Sequence, residues 1–165
     1  MDPEAELAHA RGLALRGQIE EALQVVDAVL DEQPEHVPAV RLKAELLGKS
    51  GASESALALY ERAARLAPRS VEALNDLARA LHELGRNEEA LDPAEQARAL
   101  LGDPQQARHA GMVYLTLLWC YRELRRYKEA LAAAEEGLAR TPDAVLAEWA
   151  TVVEQELAHA ERERC

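Results

Sequence analysis

VPAVRLKAELLGKSGASESALALYERAARLAPRS, residues 37–70, decides the fold. Val40, Ala44 and Leu47 fall at helical spacing, Gly51 breaks the pattern, Ala56, Tyr60 and Ala63 resume it, and Pro68 ends it. The stretch therefore reads as helix, turn, helix. The same marks recur 34 residues away on both sides, at Gly17, Gly51 and Gly85, at Ala22, Ala56 and Ala90, and at Pro34 and Pro68. A fixed period of this length means stacked supersecondary units, none of which can bury its apolar face alone. The expected architecture is all-α, a solenoid of about four helix-turn-helix repeats plus a C-terminal capping helix.

Composition agrees with that reading. The chain has 165 residues, 48% of them hydrophobic, yet aromatics make up 4% and Phe is absent. Alanine and leucine carry the apolar content, which favours closely spaced helices over a bulky aromatic core. A net charge of −11 argues against a generic pull toward nucleic acid or anionic membranes. Two cysteines without a CxxC make no disulfide framework. Cys120 lies in an apolar helical run and reads as a small core residue, while Cys165, the last residue, is expected to be exposed and able to cross-link chains. The acidic start, Met1-Asp2-Pro3-Glu4, lacks the apolar run of a signal peptide, and Met112–Cys120 is too short to span a bilayer. The expected location is the cytoplasm.

Punctuation residues set the predicted helices. Helix one runs from about Glu4 to Arg16 and helix two from Ile19 to Gln33. Helix three follows Pro38, and Ser53 is the expected N-cap of helix four. Ser70 caps helix five, whose stripe is Leu74, Leu77, Ala78 and Leu81. Asn87 is the expected cap of helix six, and Pro93 inside that helix predicts a kink. The period then slips: Ala90 to Ala130 is 40 residues, so about six are inserted near 105–110. Asp103-Pro104 predicts an unusually long helix seven, from Pro104 to about Leu124. Helix eight covers about Tyr127 to Ala139. Helix nine, over 143–162, carries Val145, Leu146, Trp149, Val152, Val153 and Leu157 on one face and serves as the cap.

These marks resemble the tetratricopeptide repeat family, whose 34-residue unit combines a W-x2-L-G-x2-Y stretch with later Ala, aromatic and Pro positions. Residues 37–70 match through Leu47, Gly51, Ala56, Tyr60, Ala63 and Pro68. Residues 71–104 match through Leu74, Leu77, Ala78, Leu81, Gly85, Ala90 and Ala97, and residues 111–144 through Tyr114, Leu117, Tyr121, Tyr127, Ala130 and Pro142. Residues 3–36 match more weakly, with Glu6 and His9 where large apolar residues are usual. The resemblance implies a single right-handed α-solenoid domain over 3–163, with repeats at about 3–36, 37–70, 71–104 and 111–144. It also implies a non-enzymatic module that binds a protein or peptide segment in a concave groove.

Sequence motifs give catalysis no support. His9, His36, His82, His109 and His159 are scattered, and there is no HExxH, Gly-rich phosphate loop or GxSxG. No cofactor and no metal is expected. In a fold of this kind the first helix of each unit lines the groove. The residues off its core stripe are Leu7, Arg11 and Ala14, then Arg41, Glu45 and Gly48, then Asn75, Arg79 and His82, then Met112, Leu115, Trp119 and Arg122. The peptide-binding set expected from this is Arg11, Arg41, Asn75, Arg79, His82, Met112, Leu115, Trp119 and Arg122. Four arginines suggest an acidic partner with an apolar anchor.

Met112, Leu115 and Trp119 form a second apolar stripe on helix seven. It either anchors a partner or is covered by helix nine or a second copy of the chain. The residues that grip a C-terminal carboxylate in some family members are missing: Leu7, Arg11, Leu42, Glu72 and Asp76 stand in those places. Other roles in view are a chaperone for exported proteins and a self-assembling scaffold.

Overall fold

The computed structural model describes residues 2–163. Among them are nine α-helices: α1 Pro3–Leu15, α2 Ile19–Glu32, α3 Val37–Lys49, α4 Ser53–Leu66, α5 Val71–Glu83, α6 Asn87–Leu100, α7 Ala110–Glu123, α8 Tyr127–Arg140 and α9 Ala144–Arg162. The described residues hold no strand. They form two compact units, one ending at Pro68 and holding α1–α4, the other starting at Arg69 and holding α5–α9.

The turns inside the helix pairs share one device. Gly17, Gly51 and Gly85 have φ of 78°, 86° and 74°. Each donates its N–H to the carbonyl three residues back, and the next residue donates to the carbonyl five back: Gly17 to Ala14 and Gln18 to Leu13, Gly51 to Gly48 and Ala52 to Leu47, Gly85 to His82 and Arg86 to Leu81. This left-handed C-terminal turn satisfies carbonyls that a helix end leaves open. The fourth pair makes the same turn with Arg125, at φ 57°: Arg125 donates to Arg122 and Arg126 to Tyr121. The 34-residue pattern does not reveal this turn, because arginine stands where the others have glycine.

The device also relocates two expected caps. One residue separates the left-handed position from the next helix, so Ala52 and Arg86 occupy the N-cap and make no side-chain cap bond. Ser53 and Asn87 lie inside the first turn instead. Ser70 does cap α5, its hydroxyl accepting from the Ala73 N–H at 3.2 Å. Arg86 and Arg126 reach forward to Glu89 and Glu129, at 2.8 and 3.0 Å.

Helix seven is shorter than Asp103-Pro104 predicts. The Asp103 carboxylate accepts from the Gln105 N–H at 2.9 Å and closes a turn, a 3-10 segment spans Ala107–His109, and α7 starts at Ala110. The insertion thus forms an extra turn tied to α5, with the buried His109 imidazole 3.2 Å from the Glu72 carboxylate. Pro93 is buried within α6, which continues unbroken from Asn87 to Leu100.

Small residues let the helices approach closely. Ala22, Ala56, Ala90 and Ala130 are all buried. Leu7, expected on the groove, instead belongs to the core of the first unit with Ala10, Leu13, Val26, Val29 and Leu46, because α1 turns that row toward α2 and α3. In the second unit the helices approach closely at Gly137 on α8. A Cβ there would stand 2.6 Å from Leu146 Cδ2 and 2.7 Å from Tyr114 Cβ, so α7, α8 and α9 meet over a bare backbone.

Two outcomes test this account by urea unfolding. Gly137→Ala should destabilise the protein by about 1–3 kcal/mol through overpacking. Arg125→Gly should stabilise it by about 1 kcal/mol by relieving a left-handed conformation that side chains with a Cβ disfavour.

Candidate functional site

In the second unit α5 and α7, the first helices of successive pairs, and the final helix α9 run side by side in one direction. Glu72 meets His109 and His82 meets Trp119; Gly111 meets Asp143, Trp119 meets Trp149 and Arg122 meets Glu156. Asp143 starts α9 by accepting the Val145 and Leu146 N–H groups, each at 3.0 Å, which fixes where that helix begins against α7.

An aromatic row crosses the three helices. The His82 ring stacks on Trp119 at 5.9 Å between centroids, and Trp119 meets Trp149 edge-on at 6.1 Å. His82 is held by Asn87, Nδ1 to Oδ1 at 2.6 Å. The Arg122 guanidinium lies 5.3 Å above the Trp149 ring and is forked by Glu156, with Nε donating to Oε2 at 2.9 Å and Nη2 to Oε1. The hydrogen bonds to Glu156 raise the Arg122 pKa further, against a smaller opposing effect of burial. The Trp119 Nε1–H is buried and has no hydrogen-bond partner among the described residues.

The stripes on α7 and α9 align. Met112, Leu115, Trp119 and Arg122 follow one another on α7, as Val145, Trp149, Val152 and Glu156 do on α9. Helix α9 therefore covers the Trp119 end of the α7 stripe. The other end stays open: Met112 is 49% exposed and Val145 50%. Each of these two apolar side chains, one on α7 and one on α9, is half out of water and can meet an apolar side chain from outside.

The expected residues are distributed unevenly. His82, Trp119 and Arg122 are linked through ring contacts with Trp149, while Leu115 and Met112 lie about one and two turns earlier on α7 than Trp119. Arg79 lies one turn before His82 and pairs with Glu83 at 3.6 Å. Asn75 is 2% exposed with its Oδ1 lacking a partner among the described residues, so it lies beneath the surface rather than on it. In the first unit, exposed Arg11 pairs with Glu45 at 3.7 Å, and Arg41 is half-buried on α3. The apolar pattern places Trp149 on the core stripe of α9 and leaves Glu156 on its polar side. Their signal was a seven-residue spacing on the final helix, matching Met112 and Trp119 on α7.

A second polar cluster lies against another side of α7. The Tyr114 hydroxyl donates to Glu136 and the Tyr121 hydroxyl to Glu95, both at 2.6 Å. Arg98 bridges the same two carboxylates, 2.7 Å from Glu95 and 3.3 Å from Glu136. An open cleft of about 450 Å³ adjoins them, lined by Glu95, Arg98, Ala99, Gly102, Glu136 and Arg140. Its charged groups engage one another, which makes it a brace between α6 and α8 rather than a receptor. Cys120 is buried, with its thiol pushed up to about 12 by desolvation, as a core residue should be. Cys165 lies outside the described residues. The described residues contain no cluster of three side chains suited to a metal ion, and no helix long and apolar enough to cross a membrane.

Stacked helix pairs with a left-handed turn in each define an α-solenoid of helix-turn-helix repeats. Residues 7–68, 41–104 and 113–143 match family models of the tetratricopeptide repeat, and the chain belongs to that family. No curated protein sequence matches the chain. Among solved structures it is similar to pilF of Pseudomonas aeruginosa, at 20% identity and TM-score 0.83, over 98% of this chain and 69% of that one. It is also similar to a thermophilic TPR protein of Thermus thermophilus, at 22% identity and TM-score 0.73 over 96% and 82%. MamA of Desulfovibrio magneticus RS-1 matches at 16% identity and TM-score 0.71 over 99% and 97%. These likenesses show the fold. The family supports protein interaction in general.

Burial first, then the hydrogen bond to a carboxylate, push the Tyr114 and Tyr121 phenols from 10.0 up to about 12. A pKa raised on folding contributes stability that is complete below the unfolded value and is lost as pH rises through the folded one. The fold should therefore weaken between pH 10 and about 12. Replacing both tyrosines with Phe should flatten that loss in an alkaline unfolding series followed by circular dichroism.

Proposed function

We propose that this chain is a non-enzymatic adaptor, acting in the cytoplasm, that holds a segment of another protein on the face formed by α5, α7 and α9. The observation that carries this reading is two half-exposed apolar side chains, Met112 on α7 and Val145 on α9, on the same two helices whose Trp119 and Trp149 meet edge-on. An apolar side chain of the partner seats on that pair. Leu115 and Trp119 back it, and His82 closes the row on the α5 side. Asn75 acts from below by supporting α5, not by gripping the partner's backbone. In the first unit, taken by itself, Arg11 and Arg41 are proposed contacts for the same class of ligand.

The Arg122–Glu156 fork sets the height of the floor. A charge-assisted pair stacked on Trp149 restrains both rings, so the site is ordered before a partner arrives.

Affinity capture from the native lysate, wild type beside Met112→Ser/Val145→Ser, tests the reading. Both residues are half-exposed, so the variant should keep its fold. A partner retained by wild type should be lost by the variant, with affinity reduced by about 2 kcal/mol, the scale of an interface hot spot. Capture of the same proteins by both would overturn it. A wild-type dimer that the variant abolishes in sedimentation would assign the face to self-association instead.

A further inference from the structure

We infer that His109 is a proton-operated latch on the inserted turn: its Nε2 accepts from Arg108 when the ring is neutral and donates to Glu72 when the ring is protonated, and the change releases Arg108. The latch concerns how the turn at 105–110 is held to α5 and is independent of what binds the outer face.

One nitrogen has two claimants. Arg108 Nε donates to His109 Nε2 at 3.0 Å, and Glu72 Oε1 lies 3.2 Å from the same atom. A ring nitrogen either carries a proton or offers a lone pair. With a lone pair it takes the Arg108 N–H and has nothing to give Glu72. With a proton it serves Glu72, and the Arg108 N–H loses its acceptor and faces a like charge. Arginine keeps its own proton throughout, so the two arrangements exclude each other.

The surroundings set up this choice. His109 is 8% exposed, so its ring is held in place, whereas the Arg108 side chain is 74% exposed and has room to swing into water. From α5, Glu72 favours the imidazolium. Its other oxygen, Oε2, accepts from the Ser70 hydroxyl at 3.1 Å, which keeps the carboxylate in position. Asp76 lies one turn further along α5. On the side of α9, Asp143 reaches toward Gly111, but its Oδ1 is occupied by the Val145 and Leu146 N–H groups. Two groups oppose protonation. One is Arg108 itself, whose Nη2 stands 3.7 Å from Glu72 Oε1. The other is the positive end of α7, for which His109 is the N-cap. With an anion on one side, and a cation and a helix end on the other, the proton decides which arrangement holds.

In the neutral state the turn is tied to α5 through Arg108 and His109 together. In the protonated state the imidazolium–carboxylate pair holds it alone, and the guanidinium is delivered to solvent four residues before Met112.

NMR of the full chain between about pH 5 and 8 tests the latch, with His109 signals assigned by their loss in His109→Gln. The neutral ring should carry its proton on Nδ1, read by long-range proton–nitrogen correlation. The Arg108 Nε–H signal should shift with the same midpoint as His109. Glu72→Gln should lower that midpoint and Arg108→Gln should raise it, each by roughly one pH unit. His159, on the last turns of α9, should keep its midpoint in both variants.

A neutral ring protonated on Nε2 would mean that Glu72 is served in both states, and would overturn the latch. So would an Arg108 Nε–H signal indifferent to His109, or midpoints that move the same way in the two variants. The tautomer is read on the unaltered chain, so a variant that fails to fold does not remove the test.

Discussion

The left-handed residue in the turn of each helix pair is the constraint on which the rest of the structure depends. At positions 17, 51, 85 and 125 the chain takes positive φ and closes the same two hydrogen bonds onto the preceding helix. That geometry sends the second helix back antiparallel in a fixed register. The register places the alanine about one turn further on against the first helix: Ala22, Ala56, Ala90 and Ala130, all buried. Gly137 extends the same economy of size to α8, where α7 and α9 leave no room for a methyl group. Because helix follows helix at short range, the first helices of the second unit lie side by side, and their outer residues form one continuous face.

Electrostatics then divides the surfaces of α7. On one side the buried Tyr114 and the half-buried Tyr121 point their hydroxyls at carboxylates that Arg98 bridges. Such a closed network braces helices and offers little to a newcomer. On the other side the pairs are also internal, and the apolar side chains of Met112 and Val145 remain half in water. Charged groups that satisfy one another within the fold change what a surface attracts without changing its composition.

Several sequence expectations carry into the structure because they rest on local physics. The Ser70 cap, the end of α2 before Pro34, the end of α4 before Pro68 and the start of α9 after Asp143 involve residues within a turn of one another. Other expectations depend on which way a helix is rotated in its packing. Extrapolating a face along α1 and α5 puts Leu7 and Asn75 on the groove. Both are buried, because neighbouring helices cover those rows. The long helix expected from Pro104 gives way to a turn and a 3-10 segment, since His109 is drawn against Glu72, two helices earlier in the chain. Arg125 hid the fourth turn because a strained arginine leaves no glycine to read.

The repeat unit, the succession of helices and the positions of most turns are legible along the chain. Each is set by glycine, proline, alanine and capping side chains acting within about five residues of the backbone they organise. What lies on the α5–α7–α9 face follows instead from how the helices pack. The stacking of Trp119 between His82 and Trp149, the fork of Arg122 by Glu156, and the exposure left to Met112 and Val145 all join residues on different helices, or depend on what covers them. Such pairings are made through space once the helices have docked; spacing along one helix shows which residues share a face, not which residues of another helix they meet.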